Sequence, residues 1–249
     1  MKLLELQVRE ITPKITHLIF PTQYLMNASL ARFSEYAEGK ELQGKLFDWE
    51  DFQDWEAARS EDYSRQVRGH NLTSDDFTPF LEGRFYPLRR KEKTVLEIVA
   101  QKQAPFSAIA TYGKGKNHLK HEIAHALFFL DQDYQEKART IVEGIDSKKI
   151  KKHLARQGYK ENNFIDEIQA SLIEEEGLNC LQKEAGIDPK KYLPASERLK
   201  ELFQYHAPQN WHDVEKGKIE IFPLPVYVSQ RGLKRYQQSS LAGYSQEGK

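Results

Sequence analysis

Apolar residues recur at helical spacing in the middle of the chain. The 3.6-residue period puts four of them on one stripe of a helix: Leu119, Ile123, Leu127 and Leu130. The opposite side carries three histidines: His118, His121 and His125. Asn117 is the predicted N-cap. Other apolar residues flank the histidines, so the helix is expected to be buried, and buried imidazoles need polar partners.

The rest of the chain alternates short strands with helices. Its apolar patterns predict strands over residues 15–20, 106–112 and 219–228, the last confined to a sheet edge by its prolines. They predict helices over residues 23–38, 47–55, 134–142, 147–157, 163–176 and 195–205. Residues 94–100 fit a strand or a helix, and residues 59–79 are predicted to be a loop or lid. The predicted class is α+β and mainly helical.

The 249 residues are long enough to bury a full core. Residues 1–230 are predicted to form one domain, with two lobes at about 1–130 and 131–230 as the alternative arrangement. Residues 231–249 are rich in Gln, Ser, Gly and Lys, a composition that predicts a polar, disordered tail.

The predicted central helix contains the pentapeptide HEIAH at residues 121–125. Two histidines four residues apart on a helix point the same way and can hold one zinc ion, and Glu122 between them is placed to act on a water as general base. A catalytic zinc takes three protein ligands and leaves a fourth position open. The alternative is a pair of core histidines bonded to carbonyl groups, with Glu122 solvated.

A third ligand must therefore be found, and Asp131 is the first candidate. It lies six residues after His125, a spacing that needs a glycine at the turn, where this chain has Phe128. Met1 and Met26 both lie upstream, so no methionine turn follows the motif. We therefore reject Asp131 as a zinc ligand.

The predicted helix over residues 163–176 offers better candidates. Its apolar stripe consists of Ile165, Ile168 and Leu172. Glu167 lies on another face, beside small side chains that allow a neighbouring helix to approach. Glu167 is the favoured third ligand, followed by Asp166 and Glu174. Asp166 is alternatively the carboxylate that orients a ligand imidazole through its second nitrogen.

Several blocks of the sequence are similar to those of an uncharacterised group of bacterial HExxH proteins. They are HEIAHALFFL (121–130), Tyr134, Gly158-Tyr159, DEIQAS (166–171), HLIFPTQYLMNASLARFSEYAEG (17–39) and FDWEDFQDW (47–55). Residues 118–176 resemble the zincin metallopeptidases of the gluzincin type. The resemblance implies a zincin-like fold with a small mixed sheet next to the HEIAH helix. It also implies His121, His125 and Glu167 as metal ligands and Glu122 as general base.

The resemblance further implies how a substrate is bound. Residues 106–112 would be the sheet edge that pairs with an extended substrate, and residues 113–116 the turn into the HEIAH helix. Gluzincins often stabilise the oxyanion with a downstream Tyr or His. The candidates are Tyr159, which we favour, and Tyr192, Tyr205 and His206. His118 is expected at the rim of the site. Ser171 stands where the group has a tyrosine.

Composition narrows the partners and the compartment. The 37 basic residues balance 37 acidic ones, so the chain lacks the basic excess that nucleic acid or an anionic membrane surface would favour. Cys180, the single cysteine, suits a reducing compartment and is predicted to be a core residue. Charges at Glu5, Arg9 and Glu10 interrupt any secretory apolar region, which predicts a cytoplasmic protein, with export by a specialised secretion system as the open alternative.

Together these features predict a zinc metalloendopeptidase, with Zn²⁺ as its cofactor and a protein or peptide as its substrate. The alternative, from a different class, is a non-catalytic binding or regulatory protein that contains zinc. Glu122 favours the enzyme, because a structural zinc site has no use for a carboxylate between its two histidine ligands.

Overall fold

The computed structural model describes residues 4–39, 41–58, 67–113, 118–209, 211 and 219–224. The strands within these ranges are β1 (Leu4–Thr12), β2 (Ile15–Phe20), β3 (His70–Thr73), β4 (Ser107–Tyr112) and β5 (Ile219–Leu224). The helices are α1 (Gln23–Glu38), α2 (Trp49–Ala57), α3 (Ser74–Leu81), α4 (Arg90–Val99), α5 (Leu119–Leu130), α6 (Gln132–Glu143), α7 (Lys148–Gln157), α8 (Phe164–Leu172), α9 (Glu175–Ala185) and α10 (Leu193–His206). Two short 3-10 helices lie at Glu161–Asn163 and Pro189–Lys191. The α+β class with a small mixed sheet is confirmed.

The five described strands form one sheet in the order β3-β4-β2-β1-β5. Strands β2 and β4 are parallel, and the other neighbouring strands are antiparallel. Because β4 lies between β3 and β2, the expectation that residues 106–112 form a substrate-binding edge is wrong. The edge of the sheet beside α5 is β3 instead.

Two hydrophobic cores lie on opposite faces of this sheet. Alternation along β4 sends Ala108 and Ala110 into the core that contains residues of α1, α3 and α4. Ile109, between them, points into the core that contains residues of α5 to α10. Helix α5 packs directly on β4 and β3 and also against α8. The fold therefore buries the HEIAH helix between the sheet and a second helix.

Most elements that the periodicity predicts are present. Helix α1 is capped by Thr22, whose Oγ1 accepts a hydrogen bond from the backbone N–H of Leu25 at 3.2 Å. Helix α7 ends at Gly158, which takes the left-handed conformation with φ 105°. Residues 94–100, open between two structures in sequence, lie mainly in α4. The apolar side chains of α4, including Val95 and Val99, pack into the hydrophobic core that also contains residues of α1 and α3.

In the N-terminal half of the chain, two regions differ from the sequence prediction. Strand β1 was not predicted, although Leu4, Leu6 and Val8 alternate with polar residues in a period of two. Residues 70–79, predicted as loop or lid, form β3 and most of α3. The carboxylate of Asp76 accepts a 2.7 Å hydrogen bond from the backbone N–H of Thr73, so the polar residues cap a helix and do not mark a loop.

The predicted helix over residues 163–176 is two helices, α8 and α9, that meet at residues 173–174. At this break the backbone of Gly177 lies against Ser171, and a Cβ at residue 177 would fall 2.1 Å from the Ser171 carbonyl oxygen. Helix α9 also exposes Cys180, which hydrogen-bonds Glu184, so the prediction of a core cysteine is wrong.

Among the described residues no helix is long and apolar enough to cross a membrane. Asn117, the predicted N-cap of the HEIAH helix, lies outside the described residues, as do residues 59–66, 114–116 and 225–228 and the predicted tail over 231–249.

Candidate metal centre

Helix α5 presents two histidines towards α8. His121 and His125 lie one helical turn apart, and their Nε2 atoms are 3.1 Å from each other. The two imidazole rings are steeply inclined, with an interplanar angle of 79° and centroids 4.7 Å apart. The i, i+4 spacing therefore brings two ring nitrogens to one point inside the protein.

Helix α8 brings a carboxylate to the same point. Glu167 Oε1 lies 3.8 Å from His125 Nε2. One potential ligand atom from each of His121, His125 and Glu167 lies within 4.8 Å of the other two. The backbone of Ala170 lies close to the His121 imidazole, and the small side chain of Ala170 leaves room for α5. The three ligands that the sequence predicts are thus brought together.

The spacing of these atoms fits a zinc ion. Two nitrogens that each lie roughly 2.05 Å from one tetrahedral ion are about 3.3 Å apart, close to the 3.1 Å between the Nε2 atoms of His121 and His125. Two imidazoles and one carboxylate also match the ligand set of catalytic sites that leave a fourth position open. His121, His125 and Glu167 are therefore the residues that would hold the ion.

Asp166 contacts the His125 ring on the side away from His121. Its Oδ1 lies 2.9 Å from His125 Nδ1, the ring nitrogen that does not face His121. The Gln169 amide donates a 2.9 Å hydrogen bond to Asp166 Oδ1, and the Tyr134 hydroxyl donates a 2.7 Å bond to Gln169 Oε1. Tyr134 and Gln169 are fully buried. A hydrogen-bonded chain thus runs from His125 to α6 and fixes the imidazole orientation.

The electrostatics of the cluster favour a cation. Burial raises the pKa of Glu122 to about 8 and that of Glu167 to about 7, because a buried carboxylate loses hydration. Burial lowers the pKa of His125, but Asp166 and Glu167 outweigh it and hold this pKa well above its ordinary value. Burial and the nearby His125 hold the pKa of His121 well below its ordinary value. A bound cation would stabilise the ionised carboxylates.

Glu122 stands apart from the three ligands. It lies between the histidines in sequence but its side chain reaches the backbone that leads into β3, where a Cβ at Gly69 would fall 2.3 Å from Glu122 Oε1. The residue is only 6% exposed. The Glu122 carboxylate thus interacts electrostatically with His125 and Glu167 but is not among the three residues whose potential ligand atoms converge.

The rejected ligand Asp131 is engaged elsewhere. Its side chain caps α6 by accepting a 3.1 Å hydrogen bond from the backbone N–H of Tyr134, and it lies 2.8 Å from His206 Nδ1. The backbone N–H of Tyr134 and the His206 imidazole both lower the pKa of Asp131, against the raising effect of burial. Glu174, the least favoured candidate ligand, accepts a 3.1 Å hydrogen bond from the backbone N–H of His121.

The four candidates for oxyanion stabilisation lie in different places. Tyr159 interacts electrostatically with Glu167, which together with burial holds the pKa of its hydroxyl well above the ordinary value. Tyr192 donates its hydroxyl hydrogen to the carbonyl oxygen of Asp146. Tyr205 is 82% exposed, and His206 pairs with aspartates of α6 and its cap. Tyr159 is the candidate that the fold brings to the cluster.

Glu38 is a neighbour of the site that the sequence did not reveal. It is the last residue of α1 and is exposed at the surface, and the loss of hydration caused by surrounding protein atoms, together with the negative charge of Glu167, raises its pKa. His125 and Glu122 also interact with it electrostatically. A lone Glu at a helix end carries no sequence signal. His118, at the N-terminus of α5, interacts electrostatically with Glu176 and Arg68 as well as with His121, in keeping with a place at the rim.

Comparisons with protein-family models, with curated proteins and with solved structures found no match to this chain. The resemblance to gluzincins therefore stays a prediction, and any functional conclusion depends on the geometry of the site itself.

Proposed function

We propose that this chain is a zinc-dependent metallopeptidase that hydrolyses peptide bonds of a protein substrate. One observation carries the proposal. The ring nitrogens of His121 and His125 converge with the Glu167 carboxylate, while Glu122, between the two histidines, stays outside the ligand set. A carboxylate in that position has a use in hydrolysis and none in a purely structural metal site.

His121, His125 and Glu167 would hold the ion, and Asp166 would keep the His125 ring in place. A zinc ion held there would supply a Lewis acid that polarises the substrate carbonyl and lowers the pKa of a water to about 7. Glu122 takes a proton from the attacking water and then delivers it to the leaving amine. Tyr159 donates a hydrogen bond to the substrate oxygen as negative charge develops on it.

One edge of the sheet supports the proposal that the substrate is an extended peptide. Among the described residues β3 pairs with β4 on one side alone, and the segment that leads into it reaches Glu122. An extended peptide can add to such an edge through backbone hydrogen bonds. The role that the resemblance assigned to residues 106–112 thus passes to β3 in our proposal.

Incubation of zinc-loaded protein with a cell lysate, followed by identification of new peptide termini, tests the proposal. We expect new termini with the wild type and their loss, by a factor of about 10² to 10⁴ in rate, with Glu122→Gln. That variant should keep its zinc and fold. Glu97→Gln, at an exposed position of α4, is the matched control and should cleave like the wild type.

Equal cleavage by the wild type and Glu122→Gln would show that the hydrolytic mechanism is wrong. A zinc-replete wild type that cleaves nothing would instead favour the non-catalytic zinc-containing protein.

A further inference from the structure

The backbone of Gly69 occupies an unusual place beside Glu122. A Cβ at residue 69 would lie 2.3 Å from Oε1, 2.9 Å from Cδ and 3.1 Å from Cγ of Glu122. Gly69 is not one of the glycines with positive φ, so its backbone conformation does not itself require glycine. The requirement comes from the carboxylate, which fills the space that a side chain at residue 69 would need.

The Gly69 backbone is held on both sides. Two amides of α1, from Gln23 and Asn27, donate hydrogen bonds of 2.9 and 3.0 Å to the carbonyl oxygen of Val67. On the other side, His70 is paired with β4, and its Nε2 lies 2.9 Å from Asn27 Oδ1. Asn27 and His70 are buried. The segment therefore cannot easily retreat to make room for an added methyl group.

The Glu122 carboxylate lacks comparable anchors. Within the described part of the chain no hydrogen bond to its oxygens is found, whereas Asp166, on the other side of the cluster, is held by His125 and Gln169. Packing against neighbouring atoms thus sets the position of Glu122, and the Glu122 carboxylate lies in the space beside the Gly69 backbone that a Cβ at residue 69 would enter.

We propose that Gly69 is a positioning residue for the general base: the bare backbone at this position seats the Glu122 carboxylate beside the metal cluster. This inference rests on the proposed function, in which Glu122 handles the protons of hydrolysis. A methyl group at residue 69 would lie 2.3 Å from Glu122 Oε1, which is far shorter than an ordinary contact. The carboxylate would therefore have to move aside by the difference. A shift of about 1 Å in a catalytic group can cost roughly 10²-fold in rate.

The test combines a double-mutant cycle, in which Tm is measured, with enzyme kinetics on the zinc-loaded full chain. Gly69→Ala should keep one zinc, leave KM unchanged and lower kcat by about 10². It should also lower Tm by roughly 2 to 10 °C, because overpacking is destabilising. In the Glu122→Ala background, where the carboxylate is absent, the same Gly69→Ala change should leave Tm nearly unaltered. Gly144→Ala is the control, since a Cβ there meets its nearest atoms at an ordinary 3.4 Å.

An equal loss of Tm in both backgrounds would show that Gly69 does not act through Glu122. Unchanged kcat in Gly69→Ala would equally overturn the proposal. The Tm cycle needs no substrate, so a wild type that cleaves nothing refutes the proposed function separately, and the cycle still decides whether Gly69 seats the carboxylate.

Discussion

Asp166 Oδ1 lies 2.9 Å from Nδ1 of His125, on the side of the ring away from His121. When the His125 imidazole is neutral, a carboxylate there holds its one proton on Nδ1, so that the Nε2 lone pair can bind a metal. The next residue, Glu167, directs its own carboxylate to the Nε2 side. Two consecutive acids of one helix thus have different parts in the same site.

We expect His121→Ala and His125→Ala each to abolish the binding of about one zinc per chain. Either change removes one of two converging nitrogens, and the remaining ligands hold the ion poorly. Metal content after dialysis, measured by atomic absorption, checks this. His118→Ala is the control and should keep its zinc, because His118 is not among the residues whose ligand atoms converge, which are His121, His125 and Glu167. Full metal retention by both ligand variants would refute the site.

Glu167→Ala should weaken zinc binding by more than the roughly 10- to 100-fold typical of outer-shell losses. Asp131→Ala should leave zinc affinity unchanged and cost about 1 kcal/mol of folding free energy, because it removes the N-cap of α6. Competition with a zinc chelator and urea unfolding measure the two effects. Loss of zinc in Asp131→Ala alone would restore the ligand assignment that we reject.

The chain from His125 to Tyr134 should tune zinc affinity in graded steps. Asp166→Asn should weaken it by about 10- to 100-fold. Tyr134→Phe should have a smaller effect on zinc but lower the unfolding free energy by about 1 to 3 kcal/mol, since it strands the buried Gln169 oxygen. Tyr205→Phe, at an exposed position, should change neither quantity. Equal zinc affinities for Asp166→Asn and wild type would contradict the orienting role of Asp166.

Tyr159→Phe should lower kcat by about 10²- to 10³-fold without loss of zinc, because it removes a donor to the developing oxyanion. Tyr192→Phe is the comparison, since the Tyr192 hydroxyl is bonded to the Asp146 carbonyl and serves the fold. Steady-state kinetics on a substrate found in the lysate experiment distinguish them. If Tyr192→Phe lost activity and Tyr159→Phe kept it, our choice of Tyr159 would be wrong.

Acid should destabilise the protein through His70. Burial lowers the pKa of His70 to about 3, whereas an unfolded histidine titrates near 6.5. The neutral imidazole therefore contributes its full stability above pH 6.5, and this contribution falls by about 1.4 kcal/mol per pH unit as the pH drops from 6.5 towards 3. His70→Gln retains an amide near the Nε2 position but does not titrate. Urea unfolding from pH 7.5 to 4.5 should show a shallower decline for this variant, and parallel curves would refute the prediction.

Local patterns were enough for most helices and for the pair of histidines. The period of 3.6 residues indicated α1, α5 and α10 because burial of one face leaves a repeating signal. The same reasoning missed α3, where the cap formed by Thr73 and Asp76 looked like a loop, and it joined α8 to α9. Polar residues that cap helices and polar residues that line loops share one composition, so periodicity does not separate them.

The sequence by itself determined that His121 and His125 share one helix face with Glu122 between them, because the geometry of an α-helix fixes neighbours within a turn. The sequence also offered Glu167, Asp166 and Glu174 as candidate carboxylates, but only the tertiary structure decided which carboxylates meet the two histidines. Helix α8 brings Glu167 and Asp166, α1 brings Glu38, and the segment before β3 brings Gly69 against Glu122. These contacts depend on how the helices and strands pack around the sheet, and packing between distant segments leaves no periodic mark in a single sequence.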